Sequence, residues 1–248
     1  MPRHALFIDR LNSNSFSVDV KEIEVDKKRI TDLTSKFASN NAIKTVGYCL
    51  KNIVLKIELN SKICIVGQPN SGKDELFLAI MQELIKVEDS NSNFIVKGNA
   101  CYLDMNNPKF IRDTIKENIL LGRTFVKEKY NELIILAGLN LSKYPLKDRT
   151  VIVEGQKNIA ENDVSRILLA RLLYSDASIV MLNSFFDVLG KERQIQTFDK
   201  LIEQALANKT VIYSTNVVHL IKKSDRVVFI HNGQIAENDT YDSLMTNR

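Results

Sequence analysis

The residues best placed to do chemistry form one short run, Gly67-Gln68-Pro69-Asn70-Ser71-Gly72-Lys73. It fits G-x-x-x-x-G-K, a loop whose successive backbone N–H groups turn inward around phosphate oxygens. A helix starting where the loop ends would aim its positive pole at the same anion. Lys73 would reach the outer phosphates. The next position calls for a Ser or Thr hydroxyl on Mg²⁺, and the sequence has Asp74 there. A carboxylate can bind Mg²⁺, so Asp74 is a candidate metal ligand. It also sets a negative charge against the phosphate. At about 4 Å and an effective dielectric near 20 that repulsion is roughly 4 kcal/mol before screening, which argues against Mg²⁺-bridged binding. Asp in a first helical turn is also a sound structural choice. Two readings of the loop stay open from these residues: a weak nucleotide or anion site, or a relic element of the fold.

The elements around the loop decide whether it can work. Ile63-Cys64-Ile65-Val66 is a continuous apolar run, as in a strand buried on both faces. After the loop, apolar residues at 76, 77, 80 and 84 share one helical stripe over 74–84. The order strand, glycine-rich loop, helix is the context this motif needs. Further strands are predicted over 53–57, 100–103, 178–182 and 210–214. A hairpin is predicted over 226–230 and 234–236 around Asn232-Gly233. Helices are predicted over 114–121, 128–137, 164–174 and 191–207. Alternating strands and helices imply an α/β core with a parallel sheet and a helical block, about 109–175, set between strands. Residues 1–28 read as a peripheral arm and 29–248 as the domain, with strand signals beginning at Ile30. Residues 85–99 read as a polar connection.

Composition narrows the class. The 248 residues are 44% hydrophobic and 26% charged, enough for a large core and inconsistent with disorder. Nine Gly and four Pro exclude collagen-like or low-complexity architecture. A net charge of +4, from 34 basic and 30 acidic residues, points to no nucleic-acid partner. No window approaches the ~18 apolar residues of a membrane span. The start of the chain does not read as a secretory signal. Three widely spaced cysteines, Cys49, Cys64 and Cys101, suit neither a disulfide framework nor a zinc site, and a reducing compartment follows. Cys64 reads as a small core residue. His219 and His231 read as surface or hairpin packing residues.

Several segments together resemble the nucleotide-binding cassette of ATP-binding-cassette transporters, in particular the first cassette of the multidrug-resistance-associated and cystic-fibrosis-conductance-regulator subfamily. Leu50 to Ile57 looks like the family's strand before the phosphate loop. Thr114-Ile115-Lys116-Glu117-Asn118-Ile119-Leu120-Leu121-Gly122 is similar to its segment after the Q-loop. Leu169-Ala170-Arg171 matches the helix after the signature, and Ser224 to Ile235 the closing hairpin. The resemblance covers about residue 29 to the end. It implies a P-loop NTPase-type core with a mostly parallel sheet, an antiparallel β subdomain and an inserted helical subdomain. It also implies ATP as the ligand and Phe37 as the residue at the adenine-stacking position, where core packing is the alternative.

The same resemblance places the catalytic positions, and most depart from the pattern. Where the family has the Asp-Glu that ends its Walker B strand, this chain has Asn183-Ser184. The Q-loop glutamine falls at Met105 or Asn106, the switch histidine at Asn216 and the D-loop acid at Gly190. The signature LSGGQ aligns with Ile159-Ala160-Glu161-Asn162-Asp163. Glu161 would point an anion at an anion there, while Asn162 and Asp163 suit the N-cap of a helix starting at Val164. The implied protein is a catalytically degenerate cassette on the cytoplasmic face of a membrane. It would bind ATP weakly or not at all and hydrolyse it little or not at all. Its partners would be transmembrane domains, through about Pro108–Gly122, and a second cassette. The alternatives are an active ATP-hydrolysing cassette, in which Asp74 or a nearby acid replaces the missing ligand, and a structural pseudo-ATPase subunit outside transport.

Overall fold

The computed structural model describes residues 15–23, 50–81, 93–95 and 98–246. Among these residues nine strands and the α-helices follow in chain order: β1 (Ser15–Ile23), β2 (Leu50–Glu58), β3 (Lys62–Val66), α1 (Lys73–Ile80), β4 (Asn93–Ile95), β5 (Ala100–Asp104), α2 (Ile115–Leu120), α3 (Lys127–Leu136), α4 (Glu161–Ser175), β6 (Ile179–Asn183), α5 (Lys191–Phe198), β7 (Thr210–Ser214), α6 (Val218–Ile221), β8 (Arg226–His231), β9 (Gln234–Asp239) and α7 (Tyr241–Thr246). A three-stranded sheet runs β2-β1-β4, and a six-stranded sheet runs β5-β6-β7-β3-β8-β9. Within the larger sheet β5 pairs with β6, and β3 with β8, in parallel, while β9 closes it antiparallel to β8. This is the expected α/β core with a separate antiparallel sheet.

The chain divides into two compact units, and the division falls inside β7. One unit holds Gly98–Val211. Its strand β6 is buried at all five positions, as the unbroken run Ile179-Val180-Met181-Leu182 requires when both faces are covered. The predicted helical block lies in this unit. Thr114 caps α2 by accepting the Glu117 N–H at 3.1 Å, the T-x-x-E capping pattern. The predicted helix over 191–207 is two pieces, α5 and a π-helical stretch, Asp199–Ala205.

The other unit is built from the described residues before 98 and those from 212 on. In β2, Ile53, Leu55 and Ile57 are buried while Val54 is 71% exposed, the period-two signature of a strand with one wet face. β3 buries Ile63, Cys64 and Ile65. Asn232 and Gly233, with φ of 48° and 76°, make the left-handed turn between β8 and β9.

Two expectations are corrected here. Residues 15–23 lie in the stretch read as a peripheral arm, yet they form the middle strand of the three-stranded sheet, paired from Ser15↔Glu58 to Ile23↔Leu50. The segment SFSVDVKEI alternates apolar and polar residues, which is the signal an irregular polar reading passes over. Residues 93–95, read as part of a polar connection, form β4 against β1. Ile30 and Leu84 lie outside the described residues.

Candidate functional site

Strand β3 delivers the chain at Val66 into the loop Gly67–Gly72, and α1 leaves it at Lys73. The loop is wound tightly. A Cβ on Gly67 would lie 2.5 Å from the Ile230 carbonyl oxygen and 2.5 Å from Ser71 Oγ, so only glycine fits. Gly72 caps α1 at φ 106°. Asn70 takes φ 61°, a left-handed backbone that Asn tolerates better than most side chains. The β8–β9 turn braces the loop: the Gly233 N–H donates to the Ser71 carbonyl at 2.8 Å. Lys73 Nζ donates to the carbonyls of Gly67 and Gln68, each at 2.7 Å. Gln68, Pro69 and Asn70 are exposed, and Ser71 is buried. Among the described residues no partner reaches the buried Ser71 hydroxyl. An orphaned hydroxyl beside a helix N-terminus and a lysine is a fit to a phosphate oxygen.

The first turn of α1 carries two acids, Asp74 and Glu75. Asp74 is exposed. Burial, with Asp74 beside it, pushes the Glu75 carboxyl above its ordinary range. Where a magnesium ion would want a hydroxyl, the loop thus offers crowded negative charge. These residues fit a phosphate better than a magnesium-bridged one.

In the unit Gly98–Val211, β5 and β6 end side by side with Asp104 opposite Asn183. Asn183 is fully buried and its Nδ2 donates to Asp104 Oδ1 at 3.2 Å, with the Tyr102 hydroxyl 3.4 Å away. Asp104 Oδ1 also accepts the Asn106 N–H at 3.0 Å. The Asn106 amide in turn lies 3.4 Å from Ser184 Oγ. Three predicted positions, Asn106, Asn183 and Ser184, therefore meet at one strand edge around Asp104. Met105 precedes them, donating its N–H to the Asn183 carbonyl at 3.1 Å. Asp104 was not singled out in the sequence. The parallel register that sets it beside Asn183 is the signal that finds it. Asn216 is exposed after β7, next to Thr215. Phe37 lies outside the described residues.

The signature-like segment differs from expectation. Helix α4 begins at Glu161, with Ala160 in the cap position and no side-chain cap. Asn162 and Asp163 thus lie inside the helix and do not cap it. The reason is the fate of Asp163, whose carboxylate is drawn inward and fully buried. It meets Arg166 at 2.6 Å and Lys143 at 3.4 Å, and it accepts the Tyr144 hydroxyl at 2.9 Å. Burial raises its pKa, but Arg166, Tyr144 and Lys143 together outweigh that and hold it below the ordinary carboxylate range. Ile159 is buried, while Ala160, Glu161 and Asn162 are exposed.

The segment Pro108–Gly122 is pinned by its own Asn118 and by Arg171 of α4. Asn118 is fully buried. Its Oδ1 accepts the Ile111 N–H at 2.9 Å, and its Nδ2 reaches the carbonyls of Ile111 and Thr114 at 3.0 and 2.9 Å. Arg171 donates to the carbonyls of Asn118 and Lys109, each at 2.7 Å. Burial pulls the Arg171 guanidinium to about 10, so it stays charged at neutral pH. Asn118→Ala would orphan several of these groups. It is expected to cost about 2–3 kcal/mol and to raise hydrogen exchange over 108–122, read by chemical denaturation and exchange mass spectrometry.

No protein-family model matches the chain. Among curated proteins, it is 30% identical over 201 residues to the cystic fibrosis transmembrane conductance regulator of Danio rerio, a match over 80% of this chain and 13% of that protein. It is 28% identical over 240 residues to ABC transporter C family member 7 of Arabidopsis thaliana, over 96% of this chain and 15% of that protein. The chain thus spans about one seventh of the length of either relative. No described helix is long and apolar enough to cross a membrane. With a phosphate-loop strand–loop–helix, a mostly parallel sheet and both matches agreeing, the chain belongs to the ATP-binding-cassette family, as a nucleotide-binding domain of the subfamily that includes the conductance regulator and the multidrug-resistance-associated transporters.

Proposed function

We propose that the chain is a catalytically degenerate cassette of a membrane transporter, holding nucleotide weakly and hydrolysing little or none. One observation carries the reading. At the position the family gives to its metal-binding acid, Asn183 is a buried neutral amide that donates to Asp104. An amide donor carries no charge to hold a cation through its water shell. Beside it, Ser184 stands where the general base belongs, and a hydroxyl takes no proton near neutral pH. Loss of a general base alone costs about 10²–10⁴ in rate. Asn216 in place of the switch histidine and Glu161 in the signature segment act in the same direction.

What the chain keeps supports a role as partner. The 108–122 segment is pinned by its own Asn118 and by Arg171 of α4, and suits a docking surface for transmembrane domains. A second, competent cassette would supply the chemistry, with the assembly on the cytoplasmic face of a membrane. The phosphate loop would hold ATP without a well-placed magnesium ion. Calorimetric titration with ATP, with and without Mg²⁺, tests this: weak binding that Mg²⁺ does not strengthen is expected. Asp74→Ser should remove the charge conflict and tighten Mg·ATP binding about tenfold, the exposed carboxylate being worth only a fraction of the unscreened repulsion.

A second reading, an active cassette, has Asp104 in its favour, since it sets a carboxylate one strand away from Asn183. In that case Mg²⁺ would strengthen ATP binding strongly and Asp104→Asn would abolish the gain.

A further inference from the structure

A cavity of about 260 Å³ lies wholly within the unit Gly98–Val211. Its walls come from the end of α3, one face of α4, the 185–189 turn, and α5 with the π-helical stretch after it. The floor is apolar, with Leu169, Leu173, Phe185, Leu189 and Leu201 facing in. The rim is cationic, with Arg166, Arg193 and Lys200. No Asp or Glu lines it among the described residues.

The construction of the far wall is specific. Arg193, Gln196, Thr197 and Lys200 fall at i, i+3, i+4 and i+7, one helical face turned to the cavity. Arg193 and Lys200 are exposed, and among the described residues neither makes an ion pair. Just beyond, the Leu206 N–H bonds to the Leu201 carbonyl at 2.8 Å, a five-residue step. Seven residues of π-helix is rare geometry, and such distortions concentrate at functional sites. The Gln194 side chain donates to the Leu189 carbonyl at 3.0 Å and fixes the cavity's corner.

An apolar floor under Arg193 and Lys200, neither in an ion pair among the described residues, selects a ligand with an apolar body and an anionic head. The volume is below the range of about 300–1,000 Å³ typical of drug-sized sites, which favours one thin chain over a ring system or a two-chain lipid. We propose that this cavity binds a single-chain amphipathic anion of the fatty-acid class, its chain on the leucine floor and its head between Arg193 and Lys200. Asn162 and Arg166 also line the cavity, and Arg166 holds Asp163 at 2.6 Å. An anionic head would therefore compete with Asp163 for Arg166 and bear directly on the first turn of α4, which follows the signature-like segment. This site is independent of the phosphate loop and of whether that loop holds nucleotide.

The test is a calorimetric titration of the whole chain with decanoate, below the concentration at which it forms micelles. Saturable binding of one decanoate per chain is expected, with decyltrimethylammonium giving none. The double variant Arg193→Glu, Lys200→Glu alters only exposed side chains and should raise the Kd at least tenfold while keeping the wild-type melting profile. Leu189→Trp, which fills the floor, should abolish binding. Absence of saturable binding overturns the proposal. Equal affinity in the double variant, equal binding of the cationic analogue, or displacement of decanoate by ATP overturns it too.

Discussion

Asp163→Ala is expected to lose about 3 kcal/mol of stability, near the lower end of what removing one partner of a buried ion pair costs. The lower end applies because the stranded cations can rehydrate: the Arg166 and Lys143 side chains are 26% and 47% exposed. The Tyr144 hydroxyl has no such escape, since Tyr144 is buried and donates to the lost carboxylate. For a chain of this length that loss lowers Tm by about 6–12 °C, read by calorimetry or circular dichroism. The pH dependence has a fixed sign. A carboxylate held below its ordinary pKa contributes stability that is fully present above the unfolded value, about 3.9, and is lost as pH falls through the folded value. The gap between the wild type and Asp163→Asn should be constant from about pH 8 to pH 5 and should close only below about pH 4. A gap that instead closes near neutrality would mean that the triad does not hold a charged Asp163.

Gly67→Ala should be as damaging for a different reason. The added methyl meets a backbone carbonyl at 2.5 Å, and backbone of the neighbouring strand β8 cannot move aside as a flexible side chain would. A cost of about 2–3 kcal/mol is expected, together with loss of whatever anion binding the loop has. Gly190→Ala is the matched control. Nothing lies within 4 Å of its added methyl, so it should cost under about 1 kcal/mol, mostly through the poorer cap that Ala makes for α5. Equal effects of the two substitutions would mean that the loop is not packed against the Ile230 carbonyl.

Much of the architecture was readable from periodicity. The runs Ile63–Val66 and Ile179–Leu182 are unbroken apolar segments, and both are buried strands, because a parallel sheet covered on two faces leaves no polar positions. Asn232-Gly233 marked its hairpin because few other pairs accept two positive φ angles in succession. What stayed hidden was non-local. β1 was lost because its alternation gains meaning only from its pairing with β2, a register that no local stretch of sequence carries. The N-cap expectation at Asn162 and Asp163 failed because local propensity favours a cap, while Tyr144 and Lys143, about twenty residues earlier, supply partners that draw Asp163 into the interior. Of the candidate site, the phosphate loop was visible because its chemistry lies in consecutive residues. Asp104 was not, because its place beside Asn183, 79 positions further along the chain, is set by sheet register. The cavity on α4 and α5 was invisible for the same reason, its walls coming from segments distant in the chain.

The central claim is that the scaffold survives without its hydrolytic groups, and steady-state ATP turnover by the purified chain with Mg²⁺ tests it most directly. The expected result is release of phosphate at background rate, unchanged by Lys73→Ala. Turnover above about 1 s⁻¹, ordinary for an enzyme, that Lys73→Ala abolishes would contradict it.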